Sequence, residues 1–368
     1  MSNVAIPEHR LSALRAALDA QGMAGAILSR PEHLFYFSGV AAGAAPSFLI
    51  VLLQETVAVA PSPLGGHETV TYTDYDIHYG WCVTEGAATA LDQALARSNL
   101  VGREVGLELA HLPAVFMPTV VAHIGESRGI GHLLWTLRRI KDAEEIAQIE
   151  ANAAGNDRAF RAVQEATRPG MTGIDLWAVV YHTLCDVAGG SITLEADVGV
   201  GPLGSDPDAK PGPERIAPGD TVFVDIYSAM HGYYADTTRV FTVGRASDRQ
   251  REIHGILATA LAAGEAQLRP GILACDVDAV VRGIIERAGY GPNFPHHSGH
   301  AFGIFQQERP YLIPAESMPL KEGMVVTLEP GIFIPGWGGM RLEGDYVIGA
   351  TGARRLDHFP SELTECYG

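Results

Sequence analysis

Residues 219–238, GDTVFVDIYSAMHGYYADTT, place Asp225 in a run of apolar residues that otherwise fits a buried β-strand. A charge in such a run needs a compensating partner, because burying an isolated carboxylate is costly. A turn around residues 230–232 predicts a β-hairpin, and a centre between Met230 and His231 sets Asp225 directly opposite Asp236. Two like charges that face each other across a ladder are destabilising unless a cation lies between them.

A second stretch repeats this pattern. Residues 323–331, GMVVTLEPG, correspond to residues 219–227 at an offset of 104, so Glu329 takes the place of the first aspartate. A hairpin centred on Gly336 sets Glu329 opposite Glu343. Each of the two hairpins therefore offers a pair of opposed acids.

The region around these hairpins is an internal repeat. Residues 168–180 and 269–281 share an Arg-Pro-Gly, an aspartate and an Ala-Val-Val at a constant offset of 101. Each half then reads helix, helix, hairpin. Duplication of such a unit predicts an α+β domain with one strongly curved sheet, helices on its outside and a pseudo-two-fold axis through its middle.

The pseudo-two-fold axis would bring all four acids to one place. A single acid near a turn is usually solvated or caps a backbone group, but two matching buried pairs are harder to explain in that way. Four clustered carboxylates cannot all stay ionised without compensation, and two divalent cations would neutralise them. The sequence therefore predicts a metal site with oxygen ligands.

A nitrogen ligand is available between the two hairpins. The segment PHHSGHAFG at residues 295–303 holds His296, His297 and His300 beside glycines that permit close backbone approach. A lone histidine is more often structural, but this cluster favours one histidine as a further ligand.

The N-terminal part of the chain has a different pattern of apolar residues. Residues 8–22 carry apolar residues at helical spacing, and the apolar runs AGAILSR and SFLIVLLQETVAVAP follow. Near residue 135 a long acidic-then-apolar helical pattern begins, which stops at Pro169-Gly170. We therefore expect an α/β domain over residues 1–137 and a second domain over residues 138–368.

Composition excludes several partner classes. The 368 residues include 26 Lys and Arg against 43 Asp and Glu, a net charge of -17, which repels nucleic acid and anionic membrane surfaces. The N-terminus lacks the apolar core of a signal peptide, and the longest apolar run, residues 48–53, is too short to span a bilayer. A cytoplasmic location is expected, which also suits four widely spaced cysteines without a CxxC pair: Cys82, Cys185, Cys275 and Cys366.

The ordered acids and histidine resemble a known family. In the contexts VDIYSAMHGYYADTTR, HHSGHAFG, LEPGIF and RLEGDYV they look like the M24 metallopeptidases of the pita-bread fold, in particular the aminopeptidase P, prolidase and creatinase branch. PEHLFYFSG resembles the N-terminal domain of that branch, and LRRIKDAEEIAQI resembles the entry to its catalytic domain. The resemblance implies a pita-bread catalytic domain preceded by a smaller creatinase/prolidase-like α/β domain.

The resemblance also implies roles for individual residues. Asp225 would be a bidentate ligand of one metal, Asp236 and Glu343 would bridge two metals, and His300 and Glu329 would hold the other. Members of the family typically use manganese, cobalt or zinc. Two such cations lower the pKa of a bridging water, and Glu329 resembles the carboxylate that moves the water proton.

Four further positions bear on the substrate. His296 matches a family histidine that hydrogen-bonds substrate, and Arg341 matches an active-site arginine of proline-cleaving members, although an ordinary exposed arginine is the alternative. Proline-specific members usually carry histidines where this chain has Asp208, 17 residues before Asp225, and Gln307, seven residues after His300. Neither replacement can act as an imidazole. This puts Xaa-Pro preference in doubt.

The expected function is a dinuclear metallohydrolase of small peptides, of the Xaa-Pro peptidase type or with altered specificity. One alternative is a non-peptide C–N hydrolase of the creatinase or ectoine hydrolase type, and another is a non-proline peptidase such as a carboxypeptidase. A binding protein that has lost catalysis is disfavoured, since such relatives commonly lack metal ligands. The resemblance further implies a homodimer.

Overall fold

The computed structural model describes residues 8–78, 80–81 and 83–367. Their contacts divide the chain into two compact units, Met1–Arg138 and Arg139–Gly368. Cys82 lies outside the described residues, and Cys185, Cys275 and Cys366 carry free thiols. None of the described helices combines the length and hydropathy that a membrane-spanning segment needs.

A six-stranded mixed sheet forms the centre of the first unit, in the order β4-β3-β2-β1-β7-β8. Its strands are β1 (Gly25–Leu28), β2 (Phe48–Leu52), β3 (Thr56–Ala60), β4 (Glu68–Thr71), β7 (Val105–Leu107) and β8 (Ser127–Gly129), and β5 (Tyr75–Asp76) and β6 (Gly80–Trp81) form a separate pair. Its helices are α1 (Glu8–Asp19), α2 (Pro31–Ser38), α3 (Val83–Arg97), α4 (Met117–His123) and α5 (Gly131–Arg138).

Helix α1 confirms the helix that the spacing of apolar residues in residues 8–22 predicts. Leu11, Leu14 and Leu18 lie at helical spacing and are completely buried. The helix ends at Asp19, three residues earlier than the apolar pattern suggested. The expected α/β character of this unit is confirmed.

In the second unit each half begins with two helices and continues with strands, which confirms the order expected from the repeat. The first half contains α6 (Ala143–Ala166), α7 (Gly173–Ala188), β9 (Thr193–Val200), β10 (Thr221–Met230) and β11 (Tyr233–Val243). The second half contains α8 (Asp248–Glu265), α9 (Ala274–Arg287), β12 (His300–Ala301), β13 (Glu308–Tyr311), β14 (Val325–Leu328), β15 (Gly331–Ile334), β16 (Gly338–Arg341), β17 (Gly344–Ile348), β18 (Ala353–Arg355) and β19 (Thr364–Cys366).

The strands of this unit form two sheets and a ribbon, where the repeat predicted one curved sheet. Their orders are β19-β11-β10-β9, β13-β12-β14-β17-β18 and β15-β16. The break between β14 and β15 lies at Glu329 and Pro330, and that between β16 and β17 includes Glu343. Pro330 has no N–H, and the N–H groups of Glu329 and Glu343 donate instead to Ser298 and Thr238. The ladder is therefore interrupted at the level of the acids.

The first hairpin has a different register from the expected one. Met230 pairs with Tyr233, so the turn is the two-residue His231-Gly232, and both residues have positive φ, 54° and 84°. The predicted pairing of Asp225 with Asp236 is therefore wrong. Asp225 faces Thr238 and Asp236 faces Tyr227.

The error leaves both acids on the same face, because a shift of two residues preserves the side-chain alternation of a strand. Asp225 and Asp236 are diagonal neighbours, still within reach of each other. In the second hairpin Gly331 pairs with Arg341 and Val325 with Val347, which confirms the predicted register around Gly336.

Successive side chains of β10 point alternately into the apolar core and towards the face that carries Asp225. Val222, Val224 and Ile226 belong to the apolar core that includes Phe160 of α6 and Val180 of α7. The intervening Asp225 therefore points away from these helices. The strand buries its apolar face against the helices and presents its acid on the other side.

Candidate metal centre

A cavity of about 390 Å³ lies within the second unit. All of the residues singled out from the sequence as ligands, catalytic groups or departures from the family pattern line it: Asp208, Asp225, Asp236, His296, His300, Gln307, Glu329, Arg341 and Glu343. The internal repeat and the two hairpins thus bring together side chains that are more than a hundred residues apart in the chain.

The five expected ligands come from separate elements. Asp225 lies on β10, Asp236 on β11 and His300 on β12, whereas Glu329 follows β14 and Glu343 precedes β17. Each is at most 5% exposed. Ligand atoms of Asp236, His300 and Glu343 lie within 4.8 Å of one another, a spacing at which one cation can contact all three.

Burial and mutual repulsion raise the pKa of three of these carboxyl groups. Burial, followed by the charge of Asp225, raises the pKa of Asp236 well above its ordinary value, and burial with the charge of Asp236 does the same for Glu343. Burial also raises the pKa of Asp225 to about 6, although Arg341 opposes this. The Oδ1 atom of Asp225 is buried and has no hydrogen-bond partner. These donors fit divalent cations, which would supply the missing positive charge.

Glu329 has a different environment, formed by the three histidines. Its carboxylate lies 3.0 Å from Nδ1 of His297, 3.6 Å from Nδ1 of His296 and 3.6 Å from Nε2 of His300. Burial acts to raise the pKa of Glu329, but the histidines, His297 foremost, hold it well below its ordinary value. His296, His297 and Glu329 form a second group of ligand atoms within 4.8 Å. His297, a member of the histidine cluster in the sequence, therefore joins the site.

Arg341 is buried, so the alternative of an exposed surface arginine is wrong. Its Nη2 contacts Asp225, its Nε donates to Thr238 Oγ1 at 3.2 Å, and its Nη1 donates to the carbonyl of Pro207 at 3.2 Å. The carboxylate of Asp225, followed by other nearby acids, raises the pKa of the guanidinium despite its burial. Arg341 thus holds one face of Asp225.

Among the residues that line the site, Asp197 and Tyr227 were not singled out from the sequence. Asp197 on β9 pairs directly with Asp225, and Tyr227 on β10 lies on the same face. Asp197 is 4% exposed and stands in the run EADVGVG. The argument that an acid in a strand-like apolar run needs a compensating partner, made above for Asp225, therefore applies to Asp197 as well. Tyr227 carried no such signal, because tyrosine is common in strands.

The chain is similar to known protein families in both of its units. Residues 147–350 match the model of metallopeptidase family M24, and residues 10–140 match the creatinase/prolidase N-terminal domain. The chain belongs to metallopeptidase family M24. The expected recognition and the assignment as a metallopeptidase are confirmed.

Individual relatives of this M24 metallopeptidase are similar at moderate identity. It is 27% identical to an Xaa-Pro dipeptidase of Pyrococcus furiosus over 97% of this chain and 99% of that protein. An uncharacterized peptidase of Bacillus subtilis, YqhT, is 37% identical over 62% of this chain and 64% of that protein. The solved prolidase of Thermococcus sibiricus superposes with a TM-score of 0.87 at 26% identity, covering 97% and 98% of the two chains. The pita-bread fold with its N-terminal domain is thereby confirmed.

Proposed function

We propose that this M24 metallopeptidase is a dinuclear metal-dependent hydrolase of small peptides, of the Xaa-Pro dipeptidase or aminopeptidase P type or with altered specificity. The observation that carries the proposal is the convergence of four buried carboxylates and His300 in one cavity. A cluster of this charge is stable when cations compensate it. Relatives named Xaa-Pro dipeptidase support a peptide substrate.

We assign the ligands as follows. Following the family resemblance, Asp225 would hold one metal, His300 and Glu329 the other, and Asp236 and Glu343 would contact both. The close approach of ligand atoms of Asp236, His300 and Glu343 supports this, as does the 3.6 Å distance between His300 Nε2 and Glu329. The donor set of carboxylates and one imidazole suits manganese, zinc or cobalt. Bound there, two such ions would activate a water molecule and polarise the scissile carbonyl.

Three side chains act around this centre. Glu329 stays ionised because of its histidine neighbours, so it can accept a proton from the attacking water. Burial lowers the pKa of His296 to about 4, which leaves a neutral imidazole to hydrogen-bond the substrate at neutral pH. Arg341 positions Asp225 through its guanidinium.

Asp208 and Gln307 favour a second candidate. Both line the cavity, at positions where proline-specific relatives usually carry histidine. Loss of two imidazoles would weaken stabilisation of the reacting carbonyl. It would favour small non-peptide amides or related C–N bonds, as in creatinase-like or ectoine hydrolase-like enzymes, or a non-proline peptide, as in a carboxypeptidase.

An activity screen of the metal-reconstituted protein separates these candidates. It compares Xaa-Pro dipeptides, longer Xaa-Pro peptides, non-proline peptides and small amides. We expect peptide hydrolysis with weak proline preference, and a partial gain on Xaa-Pro substrates in the variant Asp208→His with Gln307→His. The contrary result is an unmodified enzyme that already prefers Xaa-Pro substrates strongly, and a double variant in which that preference is lower. Asp208 and Gln307 would then belong to a working proline site, and the view of them as losses would be wrong.

We further propose a cytoplasmic location and a homodimer. The free thiols of Cys185, Cys275 and Cys366 suit a reducing compartment. The dimer follows from the family resemblance, and sedimentation at micromolar concentration tests it, with a monomer as the contrary result.

A further inference from the structure

The β9 side of the cavity carries three polar residues that the proposed mechanism does not use. They are Asp197 on β9, Lys210 in the loop that follows, and Tyr227 on β10. Asp197 is buried, with its side chain 5% exposed, whereas the side chain of Lys210 is 67% exposed. This arrangement places an accessible ammonium group beside the expected metal ligand Asp225.

The ammonium group is held in a closed triangle of hydrogen bonds. Nζ of Lys210 donates to Oδ1 of Asp197 at 2.6 Å and to the hydroxyl oxygen of Tyr227 at 3.1 Å. The Tyr227 hydroxyl in turn donates to the same Oδ1 at 3.0 Å. Burial raises the pKa of Tyr227, so the phenol stays a neutral donor. A lysine side chain that would otherwise be mobile is thus fixed in one position.

Lys210 has hydrogen-bonding capacity left for a ligand. An ammonium group has three protons, and Asp197 and Tyr227 take two of them. Among the described residues, the other arginine or lysine that lines the cavity is Arg341. Three of its five N–H groups are engaged by Asp225, Thr238 and Pro207, and its side chain is 6% exposed. Lys210 is therefore the solvent-accessible lysine or arginine of the cavity lining with an open donor.

We propose that Lys210 binds a free carboxylate of the substrate beside the scissile bond, so that the enzyme selects dipeptides over substrates in which that carboxylate is blocked. The proposal rests on the proposed function, since it names the substrate class of the same site. A hydrogen bond between an ammonium and a carboxylate is short and strong, and a neutral amide at the same place would lose its ionic part. A longer peptide presents such an amide there.

Two acids on the same wall oppose this binding. Asp208 and Glu195 line the cavity and are exposed, and their charges help raise the pKa of Lys210. They repel an incoming carboxylate from a distance, but water screens exposed charges more than it weakens a direct hydrogen bond. Removal of one acid should therefore have the opposite effect to removal of Lys210, which provides a matched pair of variants.

The test compares kcat and KM for Ala-Pro and for its C-terminal amide. We expect Lys210→Met to lower kcat/KM for the dipeptide by about 10- to 100-fold, mainly through KM, and to change the amide by less than about threefold. Lys210→Arg should retain most of the preference for the free carboxylate. Asp208→Asn should increase that preference, and Lys321→Met, at an exposed lysine elsewhere in the same unit, should leave it unchanged.

Lys210→Met also removes the nearer of two cations beside Asp197, since Arg341 Nη2 lies 3.8 Å from the other carboxylate oxygen. A second variant therefore combines it with Asp197→Asn. The same loss of carboxylate preference is expected in this double variant. A preference that persists in both variants, or an equal loss for dipeptide and amide, would overturn the proposal.

Calorimetric binding of the same two ligands to the metal-free protein separates this proposal from the proposed function. If the wild-type enzyme hydrolyses neither compound, the proposed function fails on these substrates, while tighter binding of Ala-Pro that depends on Lys210 would still support the carboxylate site. Equal binding of both ligands by the wild-type protein would refute it.

Discussion

A charged Asp236 would favour the proposed metal binding but disfavours the metal-free fold. It is 3% exposed and diagonal to Asp225 on the same face of the sheet. Burial first, and then the charges of Asp225 and Asp345, raise its pKa well above the ordinary value. Without a cation, ionising this group costs stability, whereas with a cation the same charge becomes a ligand.

The sign of the pH dependence follows from these shifts. Carboxyl groups with raised pKa bind more protons in the folded than in the unfolded state, so their contribution falls as pH rises. Burial lowers the pKa of His296 and of His300 to about 4, which gives the opposite slope up to about pH 6.5. Above that pH His296 and His300 are neutral in both states. Although burial acts to lower it, the pKa of His297 is raised by Glu329, so the stability that His297 contributes also falls as pH rises. The acids then dominate, and metal-free protein should lose stability.

Asp236→Asn should therefore stabilise the metal-free protein while it abolishes function. At pH 8 we expect the free energy of unfolding of the metal-free variant to exceed that of the metal-free wild type by about 1–3 kcal/mol. Between pH 6.5 and 8 the free energy of unfolding of the variant should also change less with pH. Denaturant unfolding at several pH values measures both quantities. A wild type whose metal-free stability rises over this range would contradict the account of the acids.

The metal-loaded forms give the converse result. Elemental analysis should find two transition metals per wild-type chain, and fewer in Asp236→Asn because a shared ligand is removed. Activity should fall by at least about a hundredfold with the fold retained, since the two metals would activate the attacking water. Full turnover of the variant, or wild-type activity that resists chelators, would count against the site.

At the scale of the elements, Arg239 joins β11 to the chain around β17. The residue is 1% exposed, and its guanidinium donates to the carbonyls of Thr238 and Glu343 at 2.9 and 2.6 Å and to the carboxylate of Asp357 at 2.5 Å. These bonds fix the backbone on which Glu343 is carried. Arg239 is thus a positioning residue for Glu343, one of the proposed shared ligands.

Arg239→Met should destabilise the protein by about 3–5 kcal/mol, because Asp357 would remain as a buried charge with a lost partner. It should also weaken metal affinity through the displaced Glu343, by about 10- to 100-fold. Denaturant unfolding and metal titration measure the two effects. Arg251→Met, which removes an exposed ion pair with Glu365, is the control and should cost about 1 kcal/mol or less. Equal effects in both variants would show that Arg239 has no special position.

The elements also show what local patterns can and cannot predict. Apolar alternation and the unusual acids located β10 and the face that lines the cavity, and the turn centred on Gly336 correctly set the register of the second hairpin. The first hairpin was misplaced by two residues because its turn is His231-Gly232, and a positive φ at histidine leaves little trace in a sequence. The expected sheet is interrupted because two backbone N–H groups find partners on other segments, a tertiary effect that no local pattern carries.

At the scale of the whole molecule, the two halves of the repeat supply different proposed ligands to one cavity. Asp225 and Asp236 come from the first half, and His300, Glu329 and Glu343 come from the second. Self-similarity in sequence was sufficient to predict this convergence, since a pseudo-two-fold axis relates equivalent positions. The Asp197–Lys210–Tyr227 triangle could not be predicted in the same way, because its residues belong to one half and have no repeated counterpart that would draw attention to them.

Metal binding should therefore stabilise both halves of the second unit together. Addition of Mn²⁺ to metal-free protein is expected to slow amide hydrogen exchange in β10 and β11 and equally in β14 and β17, because shared ligands tie local opening of one hairpin to the other. Strands β1–β3 of the first unit carry none of the ligands and serve as the internal reference. Hydrogen exchange read by mass spectrometry resolves these segments, and Asp236→Asn should remove most of the effect. Slowing confined to one hairpin would mean that its acids bind a metal without those of the other half, and the shared centre would then be wrong.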